Sequence, residues 1–319
     1  MITTSKQTTL KQSGDFKSVS FGIKESGLSH IFNVLRNQLY SDKVLAVIRE
    51  YSTNAVDAHI EIGKADTPIK VTLPTQLTPE FKVRDFGRGL TENQVCEIYA
   101  MYGESTKRGT NEQIGQLGLG SKSAFAYGDN FIINSFVEGE KTTYNAFIDP
   151  TDVGQISKIH SEKTTDPDGV EIVIPVKRKD FGEFYKKAVR LYKYFKIVPD
   201  IKGANRDELK NDLKKDDVVI SKDNWSLVKG DSYAVMGNIS YPVDYSSLNL
   251  GWQSDETELI SSGVVINFNI GDLEISASRE ALQYTEATKS AIIKKLEEIS
   301  KALPDVLGEQ FKECESLWE

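Results

Sequence analysis

The sequence predicts an α+β protein of two domains, and three observations carry that expectation. Apolar residues recur at helical spacing through residues 28–58, alternating apolar and polar runs crowd into residues 130–176, and the composition changes character at Lys177-Arg178-Lys179. At 319 residues the chain is long enough for about two domains with sizeable cores, so we place a boundary there, giving 1–176 and 177–319.

Each element follows from its local pattern. A polar, Thr-rich opening segment reads as an edge strand, and Leu28, Ile31, Phe32 and Leu35 then recur at helical spacing. A second helix begins near Ser41 or Asp42, both good caps. Short apolar runs at 69–73 and 81–83 read as strands, and helix-like sequence at 91–101 leads into the polar, Gly-bearing stretch 103–118. A helix is expected from Gly118, followed by strands at 130–137, 142–148, 155–159 and 169–176 that suit one antiparallel sheet. Beyond residue 179 come a helix, a mixed charged region, further strands, and a long C-terminal helical segment that Pro304 should break.

Composition narrows the function classes. Apolar residues make up 39% and charged residues 27%, the ordinary globular range. The formal charge, 39 minus 47, is -8, which opposes non-specific binding to nucleic acid or to an anionic membrane, so any basic surface must be local. Cys96 and Cys314 form no Cys-x-x-Cys pair, and with three histidines the chain lacks a zinc cluster. The N-terminus has no apolar signal core and no run approaches the roughly 18 apolar residues of a membrane span. A soluble, cytoplasmic protein is expected.

Three motifs carry chemistry. Glu50, Asn54 and Asp57, spaced i, i+4 and i+7, lie within about 60° on one helix and border its apolar sector. A carboxylate there can deprotonate water and an amide oxygen can ligate a hard cation. Asp85-Phe86-Gly87-Arg88-Gly89 follows a strand, offering an acceptor at Asp85 and two glycines that permit a tight turn close to a planar ligand. It is no kinase Asp-Phe-Gly, because no His-Arg-Asp precedes it. Gly115-Gln116-Leu117-Gly118-Leu119-Gly120-Ser121-Lys122-Ser123 places glycines ahead of a helix whose backbone N–H groups suit phosphate, with Ser121 and Lys122 as further donors. Neither a P-loop nor a dinucleotide fingerprint fits, since Ser121 follows Gly120 where the first needs Lys and Ser123 stands where the second needs glycine.

The order of these motifs, closed by Gly169-Val170-Glu171 before a strand, resembles the GHKL superfamily of ATPases, which includes DNA gyrase, the ninety-kilodalton heat-shock chaperones, MutL-type repair proteins and sensor histidine kinases. The resemblance covers residues 25–176. It implies a Bergerat-fold α/β sandwich, a mixed, largely antiparallel sheet covered by helices, with a second α/β domain of the transducer kind behind it. It also implies ATP and Mg²⁺ as ligands, with Glu50 as general base, Asn54 as the Mg²⁺ ligand, Asp57 supporting the metal and phosphate side, and Asp85 accepting from the adenine amino group. Gly87, Gly89 and Gly169 would lie near the base, while Gly115, Gly118 and Gly120 would let the 103–118 lid fold over the triphosphate. Val170 departs from the pattern, which commonly places Thr after that glycine. A histidine kinase does not fit, because His30, His59 and His160 all fall in the nucleotide part.

In the second half, residues 273–283 read as a strand entering a helix, with Ser278 as N-cap and Glu280 in the first turn. Arg279 then sits where a cation opposes the helix dipole. Ser278-Arg279-Glu280 resembles the middle domain of the ninety-kilodalton chaperones, which implies that Arg279 reaches the γ-phosphate. Residues 177–202 hold nine basic and three acidic residues, with Phe184, Ala188, Leu191 and Phe195 opposite Lys186, Arg190 and Lys193. This is a core helix with a solvated basic face, and the same face suits a protein partner, an anionic membrane surface or, less readily, nucleic acid. The Leu39-Tyr40-Ser41-Asp42-Lys43 entry, Asn54-Ala55-Val56-Asp57-Ala58-His59 and the Ser-Arg-Glu-Ala-Leu-Gln-Tyr segment resemble the rIIA-type lysis-inhibition proteins of bacteriophages, a family associated with the host inner membrane. Slow ATP hydrolysis that switches the arrangement of two domains or of a homodimer is the expected function. The alternative is a nucleotide-gated scaffold in which hydrolysis is incidental.

Overall fold

The computed structural model describes residues 28–100, 120–214, 218–251 and 254–313. The Thr-rich opening, the 103–118 stretch and the expected helix start at Gly118 lie outside them. Helix α1 (Leu28–Asn37) buries Phe32 against Phe125, their ring centroids 5.5 Å apart. Helix α2 (Lys43–Glu61) starts where Asp42 accepts the Leu45 N–H at 3.0 Å, satisfying one of the unbonded donors of a first turn. Most of α2 is buried, its polar stripe included.

The first sheet comprises β1 (Lys70–Thr72), β2 (Glu80–Arg84), β3 (Asn130–Val137), β4 (Glu140–Ile148), β5 (Gly154–Lys163), β6 (Gly169–Pro175) and β7 (Asp200–Lys202), in the order β5-β4-β3-β6-β2-β1-β7. All pairings are antiparallel except the parallel pair β1–β7. The mixed, largely antiparallel sheet covered by helices is therefore present. Between β2 and β3, α3 (Glu92–Val95) opens on a capping box of Thr91 and Gln94 and runs into a π-helical turn, Cys96–Ala100. A 3-10 turn, Gly120–Lys122, leads into the short α4 (Ala124–Tyr127). Helix α5 (Phe181–Tyr192) buries Phe184, Ala188, Leu191 and Tyr192, and the Tyr192 hydroxyl meets Ser52 Oγ of α2 at 2.8 Å. Both α5 and β7 come from beyond residue 177, so the layers of the first sheet continue to Lys202.

The second unit holds α6 (Arg206–Asp212), β8 (Val218–Lys222), β9 (Trp225–Val228), β10 (Tyr233–Met236), β11 (Ile239–Pro242), α7 (Asp255–Ser262), β12 (Val264–Phe268) and α8 (Glu286–Glu313). Its strands lie in the order β11-β10-β12-β9-β8, with β10 and β12 parallel. Among the described residues, most of the buried apolar side chains of both units form one contiguous cluster, from Val47 and Ile174 through Phe184 to Tyr241 and Leu296, and Tyr40, Ala46 and Ala126 form a small second one. No helix among the described residues is long and apolar enough to cross a membrane.

Two sequence expectations are corrected. Pro304 lies inside α8 and does not end it. Ile292, Leu296 and Ile299 are buried upstream and hold the helix axis, so the one donor that proline lacks costs a backbone bond and not the helix. Residues 273–283 do not enter a helix at Ser278. Ile275 pairs with Leu282 across a tight turn, and α8 starts only at Glu286, where Thr285 Oγ1 accepts the Thr288 N–H. The buried Leu273 and Leu282 fold this segment back on itself, and Ser276 Oγ accepts the N–H groups of Glu280 and Ala281 that a helix would have left to an N-cap.

Candidate functional site

Glu50 is the centre of the site. It is 2% exposed, and its carboxylate receives Arg49 Nε on Oε1 and Arg279 Nη1 on Oε2, each at 3.2 Å. Arg49 is itself 2% and Arg279 7% exposed. A charge taken out of water this far is tolerated only when paired, and two guanidinium groups supply the pairing here. Arg279 does not stand in a helical first turn against a macrodipole. It occupies the tip of the 276–281 turn at φ 57, the left-handed region that non-glycine residues seldom adopt. The stripe predicted on α2 is present: Glu50 and Asp57 are buried and Asn54 is half-buried on the same helix.

Asp85 ends β2. Its Oδ1 accepts the N–H of Gly87 at 2.8 Å and of Val170 at 3.1 Å, and its own N–H donates to the Val170 carbonyl at 2.9 Å. Both side-chain bonds fall on Oδ1, leaving Oδ2 to a further donor. Burial pushes the Asp85 carboxyl up, against the pull of those two N–H groups. Gly89, at φ 71, and Gly169, at φ 138, are required by conformation, and a Cβ at either would overlap backbone: the Phe136 carbonyl at Gly89, the Asp85 carbonyl at Gly169. Gly87 packs against Ala58 of α2. Val170 meets Asp85 through both its N–H and its carbonyl.

Gly120 lies directly on the Glu50 carboxylate, where a Cβ would overlap Oε2. Ser121 and Lys122 are buried at the start of the 3-10 turn. Lys122 Nζ donates to the Ile98 carbonyl at 2.7 Å and Ser121 Oγ donates to the same carbonyl at 3.2 Å, tying the turn to the π-helical end of α3. Burial pulls the Lys122 ammonium down to about 8. Gly115 and Gly118 lie outside the described residues.

Sequence reasoning gave no site role to four residues that build this site. Arg49 pairs with Glu50, and Glu280 binds the start of α2 through Ser41 and Asp42. His59 Nδ1 meets the Thr67 carbonyl at 2.9 Å and Nε2 accepts the Phe86 N–H at 2.7 Å, which fixes the orientation of the ring under the Asp85 turn. Arg84 bonds the Asp85 carbonyl and lies over the rings of Phe136 and Phe86, at 4.0 and 5.0 Å. An arginine next to Glu50 was visible in the sequence. Its burial, the informative part, was not.

A polar stripe on a buried helix, an Asp-led turn closed by β6, and a glycine turn seated on the carboxylate all meet on α2. Residues 42–178 match the sequence model of the family described as Histidine kinase-, DNA gyrase B-, and HSP90-like ATPase. The chain is also similar to the chaperone protein HtpG of two strains of Clostridium perfringens, each 24% identical over 222 residues, a match covering 66% of this chain and 35% of the relative. The chain thus spans about a third of the length of the curated relatives it matches. Its first unit has the GHKL fold, and the resemblance to the HSP90-like chaperones extends beyond it.

Proposed function

We propose that the chain binds Mg-ATP in the first unit and hydrolyses it slowly, with residues 177–319 as a transducer-like part that responds to the nucleotide. The observation that supports this most is Glu50: a buried carboxylate on the stripe with Asn54 and Asp57, in contact with the glycine turn on one side and with an arginine from the second unit on another. Structural needs alone do not favour such a group, because a buried ion pair is on balance no better than apolar packing. Chemistry gives it a purpose.

In this reading Glu50 takes the proton of the attacking water, Asp85 Oδ2 accepts from the adenine amino group, and Gly87, Gly89 and Gly169 keep the backbone close to the base. Asn54 would hold Mg²⁺, with Asp57 supporting it; when bound, the metal neutralises charge on the phosphate oxygens. Its half-buried amide suits a hard cation that keeps several waters and shares substrate oxygens. Arg279 and the start of α4, with Gly120, Ser121 and Lys122, would face the phosphates. Arg279 and Glu50 are within one hydrogen bond of each other, so a γ-phosphate at the first places water at the second. By its motif resemblance we read the chain as an rIIA-like ATPase that acts in a host cytoplasm, with a second copy of the chain as its candidate partner.

Calorimetry with ATP, with and without Mg²⁺, tests the binding half. Glu50→Ala tests the chemistry: nucleotide affinity should persist while hydrolysis falls by roughly 10²-fold or more. No heat of binding at millimolar nucleotide would end the reading, and undiminished hydrolysis in the variant would move the base elsewhere.

A further inference from the structure

Three consecutive residues of the 276–281 turn each engage α2 or its entry. The Ser278 carbonyl accepts Arg49 Nη2 at 2.6 Å, Arg279 Nη1 donates to Glu50 at 3.2 Å, and the Glu280 carboxylate accepts three hydrogen bonds: Ser41 N–H at 3.1 Å, Ser41 Oγ–H at 2.7 Å and Asp42 N–H at 2.8 Å. The turn is closed on its own side by Arg279 N–H to the Ser276 carbonyl at 2.8 Å and Ser276 N–H to the Ala281 carbonyl at 2.9 Å. The left-handed backbone of Arg279 costs on the order of 1–3 kcal/mol and persists only where the surroundings over-determine it. Those surroundings are the contacts on either side.

We propose that Glu280 is a positioning residue: a carboxylate latch on the N-terminal end of α2 that sets Arg279 against Glu50. This rests on the reading of Glu50 and Arg279 given above. The charge placement favours it, since an anion at a helix N-terminus gains from the dipole and from N–H groups that lack helical partners. Those N–H groups hold the Glu280 carboxyl below its ordinary value, against the opposing effect of burial. Because α2 carries both the latch point and Glu50, the latch, the arginine and the base form one rigid triangle. None of Glu280's bonds goes to the adenine side, so its loss should weaken the chemical step and spare binding.

The test uses Glu280→Ala and the milder Glu280→Gln in the full chain, with two independent readouts. In steady-state hydrolysis, Glu280→Ala should lower kcat roughly tenfold or more with KM for ATP within about twofold, and adding it to Arg279→Ala should cause no further loss. Glu280→Gln, which keeps one acceptor oxygen, should fall between, and serves if the alanine variant does not fold. In amide hydrogen exchange, Ser41 and Asp42 should exchange faster in Glu280→Ala than in wild type. Unchanged exchange at those amides overturns the latch, and a full additive loss on the Arg279→Ala background overturns the claim that it acts through Arg279. Wild type that fails to hydrolyse ATP defeats the functional reading instead, while the exchange comparison still decides whether the latch exists.

Discussion

At Gly120 the absence of a side chain is a steric requirement of the Glu50 carboxylate, and under the proposed function a catalytic one. The glycine turn rests on the Glu50 carboxylate, and a methyl group there would force the carboxylate away from Arg279. Gly120→Ala should therefore act like damage to the base, with hydrolysis down by about 10²-fold, the loss expected for a group displaced by about 1 Å. ADP affinity, measured by calorimetry on the same variant, should change far less. The types and spacing of Glu50, Asn54, Asp57 and Asp85 were legible in the sequence, because helical periodicity alone places the first three on one stripe. The partners were not. Arg49 is the sequence neighbour of Glu50, but Arg279 reaches the same carboxylate from 229 residues away, and no local pattern encodes that meeting.

The elements most legible in the sequence were those whose pattern is also their tertiary environment. Strands β3, β4 and β6 stand out because β-branched and aromatic residues recur along them, and α2 and α5 carry apolar stripes because they pack on the core. The 273–283 segment was misread because a serine two residues before a glutamate looks like a helix start, whereas its apolar residues pair across a turn. The turn after β2 depends on β6 in the same way. Gly169 opens that strand at φ 138, and a Cβ would overlap Arg84 Nη1 and the Asp85 carbonyl. Gly169→Ala should destabilise the protein by about 1–3 kcal/mol, read as a lowered thermal midpoint, and weaken ADP binding by disturbing Asp85. A midpoint equal to that of wild type would show that this junction yields without strain.

For the whole molecule, the boundary expected at residue 177 marks a change in composition more than a gap in packing. Strand β7 completes the first sheet, Tyr192 bonds Ser52, and one apolar cluster runs through both units. A calorimetric scan should show a single transition with matching calorimetric and van't Hoff enthalpies, and two resolved transitions would show that the sheets melt separately. The basic segment divides along the same lines. Lys187 turns inward to pair with Asp42, while Lys186 and Arg190 stay exposed on α5 as a local positive face on a chain of net charge -8.

The sequence by itself determined the α+β class, the positions of most strands and helices, and the residue types of the candidate site, since each is written in local periodicity, capping residues and glycine placement. Only the tertiary structure decided that Glu50 is paired by two arginines, that Arg279 stands on a left-handed turn, that Glu280 grips the start of α2, and that α5 and β7 belong with the first sheet. The physical reason is distance along the chain. Burial and ion pairing depend on which remote segments meet, and the free energy of a charged side chain is set by that meeting and not by its neighbours in sequence.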